Sequence, residues 1–196
     1  MPPAVPSKRF ESLLQILWEH LVAANTHLDI WEQLRATAER EKLCDTYAGF
    51  FYWTRDAHID RFVNKICVVT DTDLTQPGVE KLACMVLSHP SLAPGIDPAV
   101  VRQRLDSHEQ AIREIRELRN RRSSHWDTKK LPPEPDIAQA RALVAELKAI
   151  LEDLSNAHEP LPDGARQHFS LEPLGHSHTA YVLDTLTQAM RAAHRR

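Results

Sequence analysis

The chain has 196 residues, 42% apolar and 26% charged, with a formal net charge of −3. That length allows one domain with a sizeable core, or a core plus an appended tail, and the composition is ordinary for a globular protein. The charge excludes a globally basic nucleic-acid coat but leaves room for a local basic site, because steering fields depend on how charge is distributed.

The opening residues MPPAVPSKRF contain no long apolar stretch of the signal-peptide kind. No apolar run reaches the roughly 18–20 residues that span a bilayer. A reducing cytoplasm is therefore the expected location, without a membrane partner. Only 5 glycines among many Ala, Leu, Glu and Arg residues favour helix over sheet.

Ser7 reads as an N-cap, followed by Phe10, Leu13, Leu14, Leu17, Trp18, Leu21 and Val22 at helical spacing. A further helical piece carries Leu28, Trp31 and Leu34 after a break near Asn25-Thr26. A long helix is expected from about residue 41 to 69, with a stripe of Leu43, Tyr47, Phe50, Phe51, Thr54, His58, Phe62, Ile66 and Val69. Turn residues end it at Asp71-Thr72-Asp73 and Gln76-Pro77-Gly78. Val79 to Leu87 reads as another helix, and HPSLAPGIDP (89–98) as a loop. Asp97-Pro98 then starts a helix, Asp as cap and Pro in the first turn. After LPPEPD comes an amphipathic helix over about 137–154. The segment from Glu159 to about Ser177 reads as an irregular linker, followed by a weak helix with Tyr181, Val182, Leu186 and Met190. That helix either docks on the body or makes a separate contact. The expectation is an all-α bundle with a C-terminal extension, divided into 8–157 and 158–196.

The stretch ELRNRRSSHWDTKK (117–130) interrupts this pattern. On a straight wheel of about 100° per residue, Val101, Leu105, His108, Ile112 and Ile115 share one side. The next step lands on Arg119, in the centre of the apolar arc. A helix that only packs would carry Leu or Ala there, since an unpaired buried ion costs several kcal/mol. Arg122 lies near one edge of the arc, and Trp126 returns to it. His125 sits roughly 120° from Arg119 on the same wheel. The two meet only if Ser123-Ser124 loosens the last turn, or if they come from two copies of the chain. Residues 119–130 carry Arg119, Arg121, Arg122, Lys129 and Lys130 against Asp127 alone, a local +4. Cations, a histidine and a stackable Trp126 suit a phosphate-bearing, partly single-stranded ligand.

The pattern Arg119-Asn120-x4-His125 resembles the Rx4–6H signature of the HEPN superfamily, where a polar residue often follows the arginine. The layout over roughly 8–157 is similar to its abortive-infection branch: LLQILWEHLVAANTHLDIWEQL, then FFYWTRDAHIDRFVNKICVVTDTD, then RELRNRRSSHWD after a loop. The resemblance implies a HEPN-like antiparallel bundle that dimerises, and a toxin or phage-defence ribonuclease with an antitoxin or regulatory partner. It implies Arg119 and His125 as catalytic pair, with Asn120 supporting their geometry. The implied reaction needs no metal or other cofactor. A ribose 2′-hydroxyl attacks the adjacent phosphate, leaving a 2′,3′-cyclic phosphate and a 5′-hydroxyl. His125 supplies acid–base chemistry and Arg119 stabilises the transition-state charge. Arg121, Arg122, Trp126, Lys129 and Lys130 are the candidate RNA contacts. Residues 122–124 are Arg-Ser-Ser, where many relatives have apolar residues.

Plainer readings stand beside these. Cations at a helix C-terminus answer the macrodipole, which accounts for Arg121, Arg122 and Lys129. A non-catalytic module binding RNA, a nucleotide or a protein fits the same patch, and so does a structural helical dimer whose last helix recruits a partner. His58, beside Arg55, Asp56 and Arg61, reads as a hydrogen-bonded core histidine. Asp71 and Asp73 read as turn caps, and Trp18 and Trp31 as core. His176-x-His178 lacks a third metal ligand. Cys44, Cys67 and Cys84 form no CxxC pair, which speaks against a disulfide framework or a structural zinc site. No metal is expected.

Overall fold

A computed structural model describes residues 6–123, 134–160, 166, 168, 170–171 and 175–193. Among these the protein is all-α, without a strand. Its helices are α1 (Pro6–Gln33), α2 (Ala38–Thr46), α3 (Ala48–Val69), α4 (Val79–Ser88), α5 (Pro98–Asp106), α6 (Glu109–Ser123), α7 (Ile137–His158) and α8 (His176–Ala193), with a 3-10 turn at Pro90–Leu92. No helix of the described residues is long and apolar enough to cross a membrane.

The apolar stripe of α1 is buried from Phe10 to Trp31, and the helix runs unbroken through Asn25-Thr26. The polar residues that suggested a break are accommodated sideways. Thr26 Oγ1 donates to the Val22 carbonyl at 2.9 Å, and buried Asn25 accepts from Arg141 Nη1 at 2.8 Å. Ser7 lies inside the first turn, after Pro6, and donates to Glu11 Oε1 at 2.6 Å rather than capping.

The expected helix over 41–69 is two helices. The chain leaves helical angles at Tyr47 (φ −113°, ψ 42°). This break turns Leu43 toward Leu34 and Phe51, which with Leu183 and Met190 of α8 close a small second core. The helix expected from Pro98 is also divided, at Ser107, whose Oγ donates to the Arg104 carbonyl at 2.6 Å. Caps form where the sequence places them: Asp97 accepts from the Ala99 amide at 2.8 Å, and Asp136 from the Gln139 amide at 2.9 Å. Asp71 and Asp73 stay in the turn after α3, accepting from the amides of Asp73 and Thr75, both at 2.9 Å. Gly78 follows because a Cβ there would stand 2.4 Å from the Asp71 carbonyl oxygen.

Side-chain pairs between the helices show their directions. Arg141 at the start of α7 meets Glu32 near the end of α1, while His158 at the end of α7 meets Glu11 near the start of α1. Arg116 donates to the Thr70 carbonyl just past α3, whereas Arg122 reaches Asp56 and Asp60 further back along α3. Helix α7 therefore runs antiparallel to α1, and α6 antiparallel to α3. Helix α3 also opposes α1, since His27 pairs with His58 and His20 lies near Lys65. The core between them holds Phe62, Ile66, Ile115, Leu118, Leu147 and Leu151 among others.

Helix α8 docks on α1 and α2. Leu183, Thr187 and Met190 face inward, while Tyr181, Val182 and Leu186 face solvent. Asp184 pairs with Arg40 at 2.8 Å, and His176 Nδ1 donates to Asp29 Oδ1 at 2.8 Å. His176 therefore fastens the tail helix to α1, and His178 is exposed.

Candidate functional site at the end of α6

Helix α6 buries Ala111, Ile112, Ile115 and Leu118 against the bundle. Because the chain bends at Ser107, its face is not a straight continuation of α5. Arg119 sits at the border of the buried arc rather than in its centre, next to Leu118 and one turn beyond Ile115, and is half-buried. Its Nε and Nη2 both donate to Asn120 Oδ1, at 3.2 and 3.1 Å. The charge lies close enough to the α3 thiol of Cys67 to oppose the upward push of burial on that thiol, together with Arg116.

The three half-buried arginines of α6 differ in their partners. Arg116 is held by the Thr70 carbonyl, and Arg122, with its side chain 12% exposed, by Asp56 and Asp60. Arg119 meets no carboxylate at ion-pair distance among the described residues. Its amide partner steers the guanidinium without neutralising it. Arg121 pairs with Glu117 on the surface. The clamp on Arg122 draws its charge out of the expected basic patch. Asp56 and Asp60 were not foreseen in that role, although they stand one helical turn apart and so form a ready acceptor pair. His125, Trp126, Lys129 and Lys130 lie outside the described residues.

No protein-family model, curated protein or solved structure matches this chain. The functional reading therefore rests on the residues themselves.

Two further features flank the end of α6. Tyr47, just before α3, and Phe50 within it are exposed, contrary to the expected stripe. Phe50 is 67% and Trp53 68% exposed, while Phe51 alone of that run is buried. Consecutive helical residues are about 100° apart, so four successive aromatics cannot all face the core. The exposed face continues through Ala57 and Arg61 alongside the aspartates that hold Arg122.

The second feature is a histidine pair between α1 and α3. His27 Nδ1 and His58 Nδ1 are 2.9 Å apart, so one ring donates and the other accepts. This bears out a hydrogen-bonded His58; its partner is another histidine. Burial depresses the pKa of both, and for His27 the nearby His58, Arg61 and Lys65 add to the effect. His20, two turns earlier on the same face of α1, is depressed by burial and then by Lys65. All three bind protons less readily folded than unfolded, where the value is near 6.5. Their contribution is fully present above that pH and is lost as pH falls through the depressed folded values. Thermal melts should show a midpoint that is level above pH 7 and drops by several degrees toward pH 5.5. His58→Gln, which keeps a hydrogen-bonding group, should flatten the drop; an unchanged slope would count against this pair as its source.

Proposed function

We propose that the protein is a metal-independent endoribonuclease of the HEPN type, a toxin or phage-defence effector in which Arg119, Asn120 and His125 act on RNA. The observation that supports this reading is the state of Arg119: half-buried at a helix end, oriented by Asn120, and not neutralised by any described carboxylate. A cation held in that way has unsatisfied affinity for a phosphate. His125, six residues on, is the proton carrier of the scheme: it takes the 2′-hydroxyl proton, and a proton is returned to the departing 5′-oxygen. The test is cleavage of total and transfer RNA by wild type and His125→Ala, with and without EDTA. Cleavage that tolerates EDTA and disappears in the variant is expected, and equal inactivity of the two proteins would sink the nuclease reading.

Function as a homodimer belongs to the same proposal. Phe50, Tyr52, Trp53 and Ala57 offer an exposed apolar face on α3 beside the α6 end, and large exposed patches of this sort mark interaction surfaces. Trp53→Asp should shift a dimer to monomer in sedimentation equilibrium without changing the helical circular dichroism. A monomeric wild type would remove this part of the proposal.

The second reading, a module that binds RNA without cutting it, is favoured by the clamp on Arg122. Asp56 and Asp60 reduce the free positive charge and tie the α6 end to α3. Retained RNA binding in His125→Ala, with no cleavage by wild type, would select it.

A further inference from the structure

We propose that Glu11, His158 and Glu159 bind one divalent transition-metal ion of the zinc type, where the start of α1 meets the end of α7. The site is independent of the nuclease reading. Glu11 and His27 are separated by about 24 Å along α1 at 1.5 Å per residue, and His27 lies level with the α3 segment that holds Arg122.

His158, the last residue of α7, carries the argument. Its side chain is only 10% exposed, with the Phe10 ring tilted against it at a centroid distance of 4.9 Å. Its Nδ1 lies 2.6 Å from the carbonyl oxygen of Leu92. A carbonyl can only accept, so the proton is on Nδ1. Nε2 is thereby left to face Glu11 Oε1 at 3.4 Å. In a neutral imidazole that nitrogen presents a lone pair, and a lone pair against a carboxylate is two acceptors in opposition. Something positive must stand between them, either a proton on Nε2 or a metal ion.

The third group selects the metal. Glu159, the cap residue of α7, brings a second carboxylate, and one ligand atom from each of the three residues lies within 4.8 Å of the others. A second carboxylate within reach favours a divalent ion over a single proton on Nε2. A ligating histidine also commonly donates its other ring N–H to a backbone carbonyl, which fixes its tautomer and direction, as Leu92 does here. Ser7 Oγ donates to Glu11 at 2.6 Å and orients that carboxylate in turn.

One imidazole and two carboxylates, two negative charges in all, match a zinc-type dication, with water completing the sphere. Lys8 is the nearby cation that opposes binding. Ligand distances of about 2.0–2.2 Å require the three atoms to draw closer than they stand. The exposed Glu159 side chain and the Glu11 carboxylate, the latter with its Ser7 hydrogen bond, would move inward, while the buried imidazole is the fixed point. The bound ion would fasten the start of α1, the loop at Leu92 and the end of α7. This set uses no cysteine, so cysteine spacing could not reveal it.

The test is zinc titration of the metal-stripped full chain by calorimetry, paired with thermal melts. Wild type should bind one ion per chain and melt higher with zinc present. Glu159→Gln keeps the backbone bond of residue 159 to the Ser155 carbonyl, so its metal-free melt should match wild type. Its zinc affinity should fall at least about tenfold, since even an outer-shell partner is worth roughly 10–100-fold. Glu11→Gln should fall likewise, and a double His176→Gln, His178→Gln variant should bind as wild type does. Equal zinc affinity in wild type, Glu11→Gln and Glu159→Gln would overturn the site, as would the absence of saturable one-to-one binding. His158 and Glu11 would then be a simple hydrogen-bonded pair.

Discussion

Arg119→Ala should lose about 10²–10³-fold in RNA cleavage, the usual cost of removing one preorganised stabiliser of transition-state charge. His125→Ala should lose about 10²–10⁴-fold, the range for a general acid–base group. The two losses should not add in the double variant, because both groups serve one phosphate in one step. Arg119→Lys keeps the charge but cannot reproduce the planar fork that donates through Nε and Nη2, so it should recover little. Asn120→Ala frees the guanidinium to swing without touching its charge, and a smaller loss is expected. Arg122→Ala is the informative contrast. It strands the carboxylates of Asp56 and Asp60, so stability should fall before chemistry does. Single-turnover gels at matched folded fraction measure all six. If Arg119→Ala cuts as fast as wild type while Arg122→Ala loses activity at full foldedness, the catalytic arginine is Arg122 and the proposal is wrong about the residue.

The class of fold was legible because apolar periodicity over long helices is a strong signal. The buried faces of α1 and α7 are largely the residues that their spacing selects, with Val22 and Ile137 only half-buried. Caps at Asp97 and the turn acids at Asp71 and Asp73 were legible for a local reason: their hydrogen bonds reach only two residues along the chain. What failed depended on contacts distant in sequence. Asn25 looked like a break because its partners, Arg141 and Leu171, lie more than a hundred residues away. Tyr47 and Phe50 looked like core, yet their neighbour Phe51 is the one drawn in by α8. For the α6 end, a wheel drawn straight from Pro98 centred Arg119 in the apolar arc. The bend at Ser107 moves it to the border, where a guanidinium is far easier to accommodate. The clamp on Arg122 was invisible for the same reason as Asn25, since Asp56 and Asp60 precede it by more than sixty residues.

The same long-range polar pairing yields the largest expected stability effect. Asp29, near the C-terminal end of α1 at the edge of its apolar face, has a side chain only 7% exposed. Arg141 Nη2 lies 3.6 Å from its carboxylate and 2.6 Å from Glu32, while Nη1 donates to Asn25 at 2.8 Å. Arg141→Met keeps much of the aliphatic volume but removes three partners at once. Asn25 loses its donor, and Asp29 keeps only His176 and Gln33. Glu32 is half in water and loses little. The expected cost is about 3 kcal/mol, the low end for breaking a buried pair, because a third of Arg141 is already solvated. Asp29→Asn keeps its size and a hydrogen-bonding oxygen while removing the charge that Arg141 compensates. In the double variant the stranded carboxylate is gone, and a coupling of roughly 1–2 kcal/mol should return, within the range for residues sharing one network. Urea unfolding of the four proteins, compared at equal m-values, gives the cycle. Strict additivity would mean that Arg141 acts through packing alone. A favourable coupling would identify the α1–α7 contact as one in which each charge is tolerated in the interior because of the other.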